Sequence, residues 1–302
     1  MKIAVCVKQV PDSWAEKKMV NGVLDRENVD AVLNDLDEYA VEEALRIAEA
    51  HGGNEEGGAN TVTVISMGPD RATEALRKAL SMGANDAILI TDAGLAGADA
   101  LATSAVLSKV ISDGGYELVI CGTESTDARM SVIPAMLAER LGWAQLTFAG
   151  VVKVDVSVNK VEIDRMTDAG VESMSANFPA VISVIEKINE PRYPSFKGIM
   201  ASKKKTINTK SLSDVGVAAS EVGLATAWSV VDDAAARPPR PRPACEGRAA
   251  PGATSPGPGR APRGSAWRSR GTPRPPRRVT RRAQPRPRPR PPAAASTPPA
   301  ES

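Results

Sequence analysis

Residues 61–90 read TVTVISMGPDRATEALRKALSMGANDAILI, and the fold class follows from this stretch. Thr61–Met67 is a β-branched apolar run, of the kind that forms a strand buried on both faces. Gly68-Pro69-Asp70 breaks it and opens a helix through about Met82. Gly83 ends that helix, and Asp86–Ile90 is the next strand. A strand, a crossover helix and a second fully apolar strand make a parallel βαβ unit.

The same alternation extends in both directions. Lys2–Val7 (KIAVCV) is a strand, closed by Val10-Pro11-Asp12. Asn21-Gly22 is a hairpin signal between Lys18–Val20 and Val23–Leu24. Asn34 is placed to cap a helix over about Asp37–Glu49, with acids in its first turn. Downstream come a helix over about Asp99–Ser112, a strand at Glu117–Cys121 (ELVIC) and a helix over about Val132–Leu141. The expected architecture is α/β, with a parallel sheet and helices on both faces (Rossmann-like), whose ligands sit beyond the carboxyl ends of the strands. Past Trp143 four strand-like runs follow: Val151–Val156, Lys160–Met166, Gly170–Ser175 and Ala180–Ile185. They read as a small antiparallel extension, or as strands added to the main sheet. Asn189–Lys205 reads as a polar loop.

Composition divides the chain. Residues 237–302 hold 16 Arg, no Lys, 18 of the 24 prolines and only two acids, Glu246 and Glu301. The preceding 236 residues hold 22 Lys+Arg against 34 Asp+Glu, a net of −12. The tail has almost no aliphatic side chains with which to offset chain entropy, so disorder with polyproline-II character is expected there. The expected division is a body over 1–232 and a Pro/Arg-rich tail over 233–302. Such a tail suits nucleic-acid binding or a proline-reading module, and its abrupt start also suits out-of-frame reading of a GC-rich gene.

Enzyme chemistry is poorly supplied. His51 is the only histidine, at a helix end beside Gly52-Gly53, so a histidine base or ligand would have to be this residue. No GxxxxGK[ST] or GxGxxG occurs. Cys6, Cys121 and Cys245 lack metal or redox spacing, and no secretory signal or membrane-spanning apolar run is present, which points to the cytoplasm.

The stretch richest in ligand chemistry is Cys121-Gly-Thr-Glu-Ser-Thr-Asp-Ala-Arg-Met-Ser131, between a buried strand and a helix. Its glycine allows close approach of backbone, its amides face a helix N-terminus, and Ser125, Thr126, Ser131 and Arg129 add donors suited to an anion. The plain alternative is an ordinary polar βα connection. Cys6–Val10, Asn34–Asp37 and Met67–Asp70 belong to the same sheet edge and could enclose an adenine and ribose.

The chain resembles the β subunit of electron transfer flavoproteins. The resemblance is carried by VCVKQVPD (5–12), LNDLDEYAVEEALR (33–46), MGPDRATEALRKALSMGAN (67–85), CGTESTDARMSVIPAMLAERLG (121–142), FPAVISV (178–184) and, most specifically, NEPRYPSFKGIMASKKK (189–205). It covers about residues 1–232. It implies an electron carrier without catalytic residues of its own, paired with an α subunit. FAD is then held mainly by α, and an AMP of structural role by β. The family's nucleotide contacts fall on Cys6, Asn34, Asp35, Leu36, Asp37, Met67, Gly122, Thr123, Glu124, Ser125, Thr126, Asp127, Ala128, Arg129, Met130, Ser131, Val132 and Ile133. A second FAD in place of AMP, as in bifurcating relatives, stays open. The segment with Tyr193, Phe196, Ile199 and Met200 resembles the loop that docks on acyl-CoA and similar flavin dehydrogenases, from which electrons pass to a quinone oxidoreductase. Phe196 stands where that loop carries an aliphatic anchor; read alone, it could equally be a core residue. Lys203-Lys204-Lys205 reads as a solvated run or as a patch that steers partners. No metal, no nucleic-acid partner of the body and no membrane insertion is expected. Members of the family continue past residue 232 into a segment that embraces α, so weaker assembly is expected here. The competing reading is another adenine-nucleotide-binding α/β protein, a nucleotide sensor, which would have no use for a docking segment.

Overall fold

The computed structural model describes residues 1–15, 18–20, 23–55, 57–230 and 279–280. Strand β1 (Lys2–Cys6) lies at the middle of the sheet, and its alternating side chains feed two cores. Ile3 and Val5 point to one face and Ala4 and Cys6 to the other. Two short ribbons follow: β2 (Gln9–Pro11) pairs with β5 (Ala31–Leu33), and β3 (Met19–Val20) with β4 (Val23–Leu24). The second is the expected hairpin, although its turn residues Asn21 and Gly22 lie outside the described set.

The crossover units come next: α1 (Asp35–Ala50), β6 (Thr61–Met67), α2 (Thr73–Met82), β7 (Asp86–Ile90), α3 (Ala100–Gly114), β8 (Leu118–Gly122) and α4 (Ile133–Leu141). β1, β6, β7 and β8 pair in parallel. Helices α1 and α2 cover the face bearing Ile3, Val62, Val64, Leu118 and Ile120, while α3 and α4 cover the face bearing Ile65, Val119 and Cys121. Each fully buried Leu or Ile contributes about 1.5–3 kcal/mol of transfer free energy, so the double cover is the main source of stability. Asp99 caps α3 by accepting from the Ala102 amide at 2.9 Å, and its other oxygen accepts from the Trp228 amide at 2.8 Å.

Three strands form the antiparallel extension: β9 (Ala144–Asp155), β10 (Lys160–Thr167) and β11 (Gly170–Asn177). Strand β12 (Ala180–Val184) does not join them as a fourth hairpin arm. It inserts between β8 and β9 and runs parallel to both. All five of its residues are buried, the signature of an interior parallel strand rather than a half-exposed one. β9 begins seven residues before the expected start at Val151, because its first half pairs with β12 and only its second half with β10.

Residues 189–205 are not wholly a loop. Helix α5 (Phe196–Lys204) starts at Ser195, whose Oγ accepts from the Gly198 amide at 3.0 Å, and ends on Lys203 and Lys204, favourable to its dipole. α5 packs on α2, and a Cβ at Gly198 would lie 2.5 Å from the Ser81 carbonyl oxygen. β13 (Ile207–Lys210) then closes the edge beside β7, followed by α6 (Leu212–Val215). The full order is β13-β7-β6-β1-β8-β12-β9-β10-β11-β14, where β14 (Val279–Thr280) pairs with Glu172–Ser173. The rest of the tail lies outside the described residues. Among the described residues no helix is long and apolar enough to cross a membrane.

Candidate functional site

The carboxyl ends of β1, β6 and β8 converge with the start of α1 and the loop of residues 122–132. Asn34, at the N-cap position of α1 and fully buried, does not cap the helix with its side chain. Its Nδ2 donates to the Glu124 carbonyl at 2.9 Å, and its Oδ1 accepts from the Thr126 amide at 3.0 Å. One side chain thereby fixes the shape of a loop ninety residues away. The Lys8 amide donates to Asp37 Oδ2 at 2.8 Å, which joins the end of β1 to the first turn of α1.

Gly122 is where β8 meets that turn. A Cβ here would lie 2.5 Å from Asp37 Oδ1 and 2.8 Å from the Leu36 carbonyl carbon, so glycine is required by α1 itself. The sequence suggested room for a ligand at this glycine; the structure fills it with Leu36 and Asp37. Burial pushes the Asp37 carboxyl up to about 7 despite hydrogen bonds from the Lys8 and Gly122 amides.

Within the loop, the Arg129 amide donates to the Ser125 carbonyl at 2.9 Å, and Arg129 and Ser131 both take positive φ, 51° and 55°. These are conformations that side-chain-bearing residues adopt uncommonly; Phe148, Asn159 and Lys187 do so elsewhere in the chain. Thr123 Oγ1 donates to the Val184 carbonyl at 2.6 Å, so it braces β12. Ser131 Oγ donates to Glu124 at 3.0 Å, and Arg129 pairs with the same carboxylate at 3.8 Å. Ala128 and Met130 are exposed at the tip. Val132 and Ile133 form the α4 N-terminus behind them.

Asp127 holds two cations that the sequence reading missed. Its side chain is 1% exposed and accepts from Lys8 Nζ at 2.9 Å and from the Arg26 guanidinium. Burial opposes its charge, but Lys8, Ser125 and Arg26 outweigh that and hold the carboxyl well below the usual carboxylate range. Lys8 lies within the quoted VCVKQVPD segment, so that signal was present. Arg26 lies between β4 and β5 in a segment with no pattern to mark it.

Cys6 and Cys121 are register partners on β1 and β8, both buried, an adjacency that their spacing in sequence conceals. Hydrogen bonding with Cys6 and burial push the Cys121 thiol up. Met67 ends β6 and packs against the same core. Asp35 is set apart from the loop. It is exposed and, with Asp12, Trp14, Glu38 and Lys78, lines a separate cleft of about 430 Å³.

Below the other end of α1 lies the second feature. Tyr193 and Phe196 are 93% and 81% exposed, and Ile199 and Met200 are exposed beside Phe196 on α5. Phe196 is therefore not a core residue. The segment is tied down from behind. Arg192 donates to Glu42 through Nε at 2.7 Å and to Glu49 through Nη1 at 2.6 Å. Asn189 Nδ2 donates to Glu43 and to the Tyr39 carbonyl, both at 3.0 Å. The Arg77 guanidinium donates to the Ser202 and Lys205 carbonyls.

Comparison with known proteins identifies the family. A family model described as an electron transfer flavoprotein domain matches residues 21–215. The electron transfer flavoprotein subunit beta of Mycobacterium tuberculosis is 50% identical over 232 residues, covering 76% of this chain and 86% of the relative. The subunit of the same name from Thermoanaerobacterium thermosaccharolyticum is 40% identical over 226 residues, 74% of this chain and 84% of the relative. The protein FixA of Azotobacter vinelandii is 34% identical over 248 residues, 80% and 85% respectively. With an α/β sheet that matches the expected class and relatives that match along three quarters of its length, the chain belongs to the electron transfer flavoprotein β-subunit family.

Proposed function

We propose that this chain is the nucleotide-holding half of a heterodimeric electron carrier. It pairs with an electron transfer flavoprotein α subunit and binds AMP in a structural role at the rim formed by Cys6, Asn34–Asp37, Met67 and residues 122–133. It helps to hold an FAD that α carries. FAD supplies the one- and two-electron chemistry when bound, and this chain supplies binding geometry and electrostatics rather than catalytic groups. Electrons arrive from acyl-CoA and similar flavin dehydrogenases and leave to a quinone oxidoreductase, in the cytoplasm. Tyr193, Phe196, Ile199 and Met200 form the docking face for the dehydrogenases, an aromatic anchor set of the type that dominates interfaces.

The observation that carries the nucleotide assignment is the loop of residues 122–132, knitted to α1 by Asn34 and to β1 by Lys8, at the carboxyl edge of a parallel sheet. What supports a phosphate there is the Thr126 hydroxyl and two nearby, partly exposed cations, Lys8 and Arg26. The test is to co-express the chain with an electron transfer flavoprotein α subunit, denature the purified complex and identify what is released by mass spectrometry. The expected result is one adenylate and one FAD per heterodimer. A complex that releases neither would end this reading.

A further inference from the structure

Asp37 sits where three elements meet: the first turn of α1, the end of β1 and the end of β8. Its buried carboxylate is surrounded by donors. The Lys8 amide donates to Oδ2 at 2.8 Å, and the Gly122 amide and the side-chain amide of Asn34 donate to the same carboxylate. Asn34 is the link to the loop of residues 122–132. Its Nδ2 offers one hydrogen to the Glu124 carbonyl at 2.9 Å and the other to Asp37, while its Oδ1 accepts from the Thr126 amide at 3.0 Å. The carboxylate thus fixes which way round the carboxamide stands, and the carboxamide fixes Glu124 and Thr126.

A proton on Asp37 upsets this order. A neutral carboxyl carries an O–H that needs an acceptor, and the three partners just named are donors. Asn34 can supply an acceptor by turning its carboxamide over. Its Oδ1 then faces the carboxyl and the Glu124 carbonyl, its Nδ2 faces the Thr126 amide, and both bonds to the loop are lost. The titratable and charged groups that face Asp37 are Lys8 from the end of β1 and Cys121 from β8. Lys8 Nζ is turned to Asp127 and Ser125, and the Cys121 thiol is pushed up by its hydrogen bond with Cys6 and by burial. On α1 itself Asp35 is exposed, and Glu38 faces Lys78 of α2 at 3.9 Å. Of the acids in the loop, Glu124 is engaged by Ser131 and Arg129, and Asp127 by Lys8 and Arg26. Burial brings the ionisation of Asp37 up to about 7, within the range a cell can vary.

We propose that Asp37 is a pH-operated latch: ionised, it holds Asn34 and the loop of residues 122–132 in the ordered form, and protonated, it lets both go. The latch is set against global stability, since burial disfavours the charged form that closes it. Its effect on ligand rests on the nucleotide reading given above: the ordered loop binds, so acid weakens binding and binding expels the proton. The experiment separates the two.

The complex co-expressed with α is freed of bound nucleotide, and amide hydrogen exchange of the peptide spanning residues 122–132 is followed, with rates corrected for the intrinsic effect of pH. Protection in the wild type is expected to be about tenfold higher at pH 8 than at pH 6, following an ionised fraction of roughly 0.9 against 0.1. Asp37→Asn puts an amide NH2 among the same donors, so it should show the low protection of the acid form at both pH values. That variant becomes more stable overall at pH 8 yet looser in the loop, two opposite changes that a general loss of packing does not produce. Asn34→Ala, which removes the link, should also be low and flat. In calorimetry, AMP should bind the wild type about tenfold more tightly at pH 8 than at pH 6 after division by the same ratio for Asp37→Asn, which cancels the ionisation of the ligand. Wild-type protection that is equal at the two pH values, or that changes alike in Asp37→Asn, overturns the latch. A latch seen in exchange without AMP binding at either pH overturns the nucleotide reading alone.

Discussion

Asp37 is a carboxyl group placed where water cannot reach it, one turn into a helix and in contact with the end of β8. Because burial raises it from 3.8 to about 7, the native protein holds a proton between about pH 4 and 7 that the unfolded chain has released. The stability contributed by this residue therefore falls as pH rises through that window and is lowest above about pH 7. Asp37→Asn keeps an acceptor for the Lys8 amide and has no charge to desolvate. Relative to wild type, the variant should gain stability as pH rises from about 4.5 to 8, by up to roughly 3 kcal/mol. Urea unfolding at the two pH values measures this, and a constant difference between the proteins would contradict it. Single residues also mark what could not be read from sequence. Asn34 looked like a helix cap, because its type and position fit one. Only the fold shows that its side chain serves Glu124 and Thr126. Arg26 carried no pattern at all, since its role depends on Asp127 a hundred positions onward.

At the scale of elements, α1 serves two sites at once. Its first turn forms the floor of the proposed nucleotide rim, and Glu42, Glu43 and Glu49 farther along hold Arg192 and Asn189 ahead of α5. Burial opposes the charge of Glu42, yet Arg192 and Arg46 outweigh it and hold its carboxyl below the ordinary range. Arg192→Ala removes the guanidinium and leaves that buried carboxylate with Arg46 and the main-chain amide of residue 192, which donates to it at 3.2 Å. We expect a loss of roughly 1.5–3 kcal/mol in unfolding free energy, measured by denaturant titration. We also expect a several-fold rise in KM for the partner dehydrogenase, with kcat little changed, as Tyr193 and Phe196 lose their fixed orientation. An unaltered KM would show that the clamp does not position the docking face. Elements with strong periodicity were legible in the sequence: β6 and β7 fall on the expected bounds, and α1 to α4 lie within about two residues of theirs. α5 was not, although Phe196, Ile199 and Met200 keep helical spacing. Gly198 and the surrounding polar residues masked it, and its packing on α2 is a tertiary effect. For β12 the sequence left two readings open, an antiparallel arm or a strand added to the main sheet, and burial on both faces decides for the second.

For the whole molecule, charge is the dominant asymmetry. A body of net −12 is joined to a tail of 16 Arg with two acids. The two should behave separately in solution. A chain ending at residue 236 is expected to melt within about 2 °C of the full chain, since the tail has little apolar surface to contribute to a core. The full chain should be retained on a polyanion matrix at low salt and released steeply as salt rises, while the shortened chain flows through. Equal retention of both would place the basic surface on the body instead.

The position of β12 has a bearing on how the protein is made. Its neighbours β8 and β9 lie on either side of it and are synthesised well before it, so a nascent chain emerging from the ribosome first exposes two unpaired apolar edges facing a vacant slot. Only when residues 180–184 arrive can that slot be filled and the two halves of the sheet be joined. Until then the growing polypeptide carries strand edges open to stray pairing.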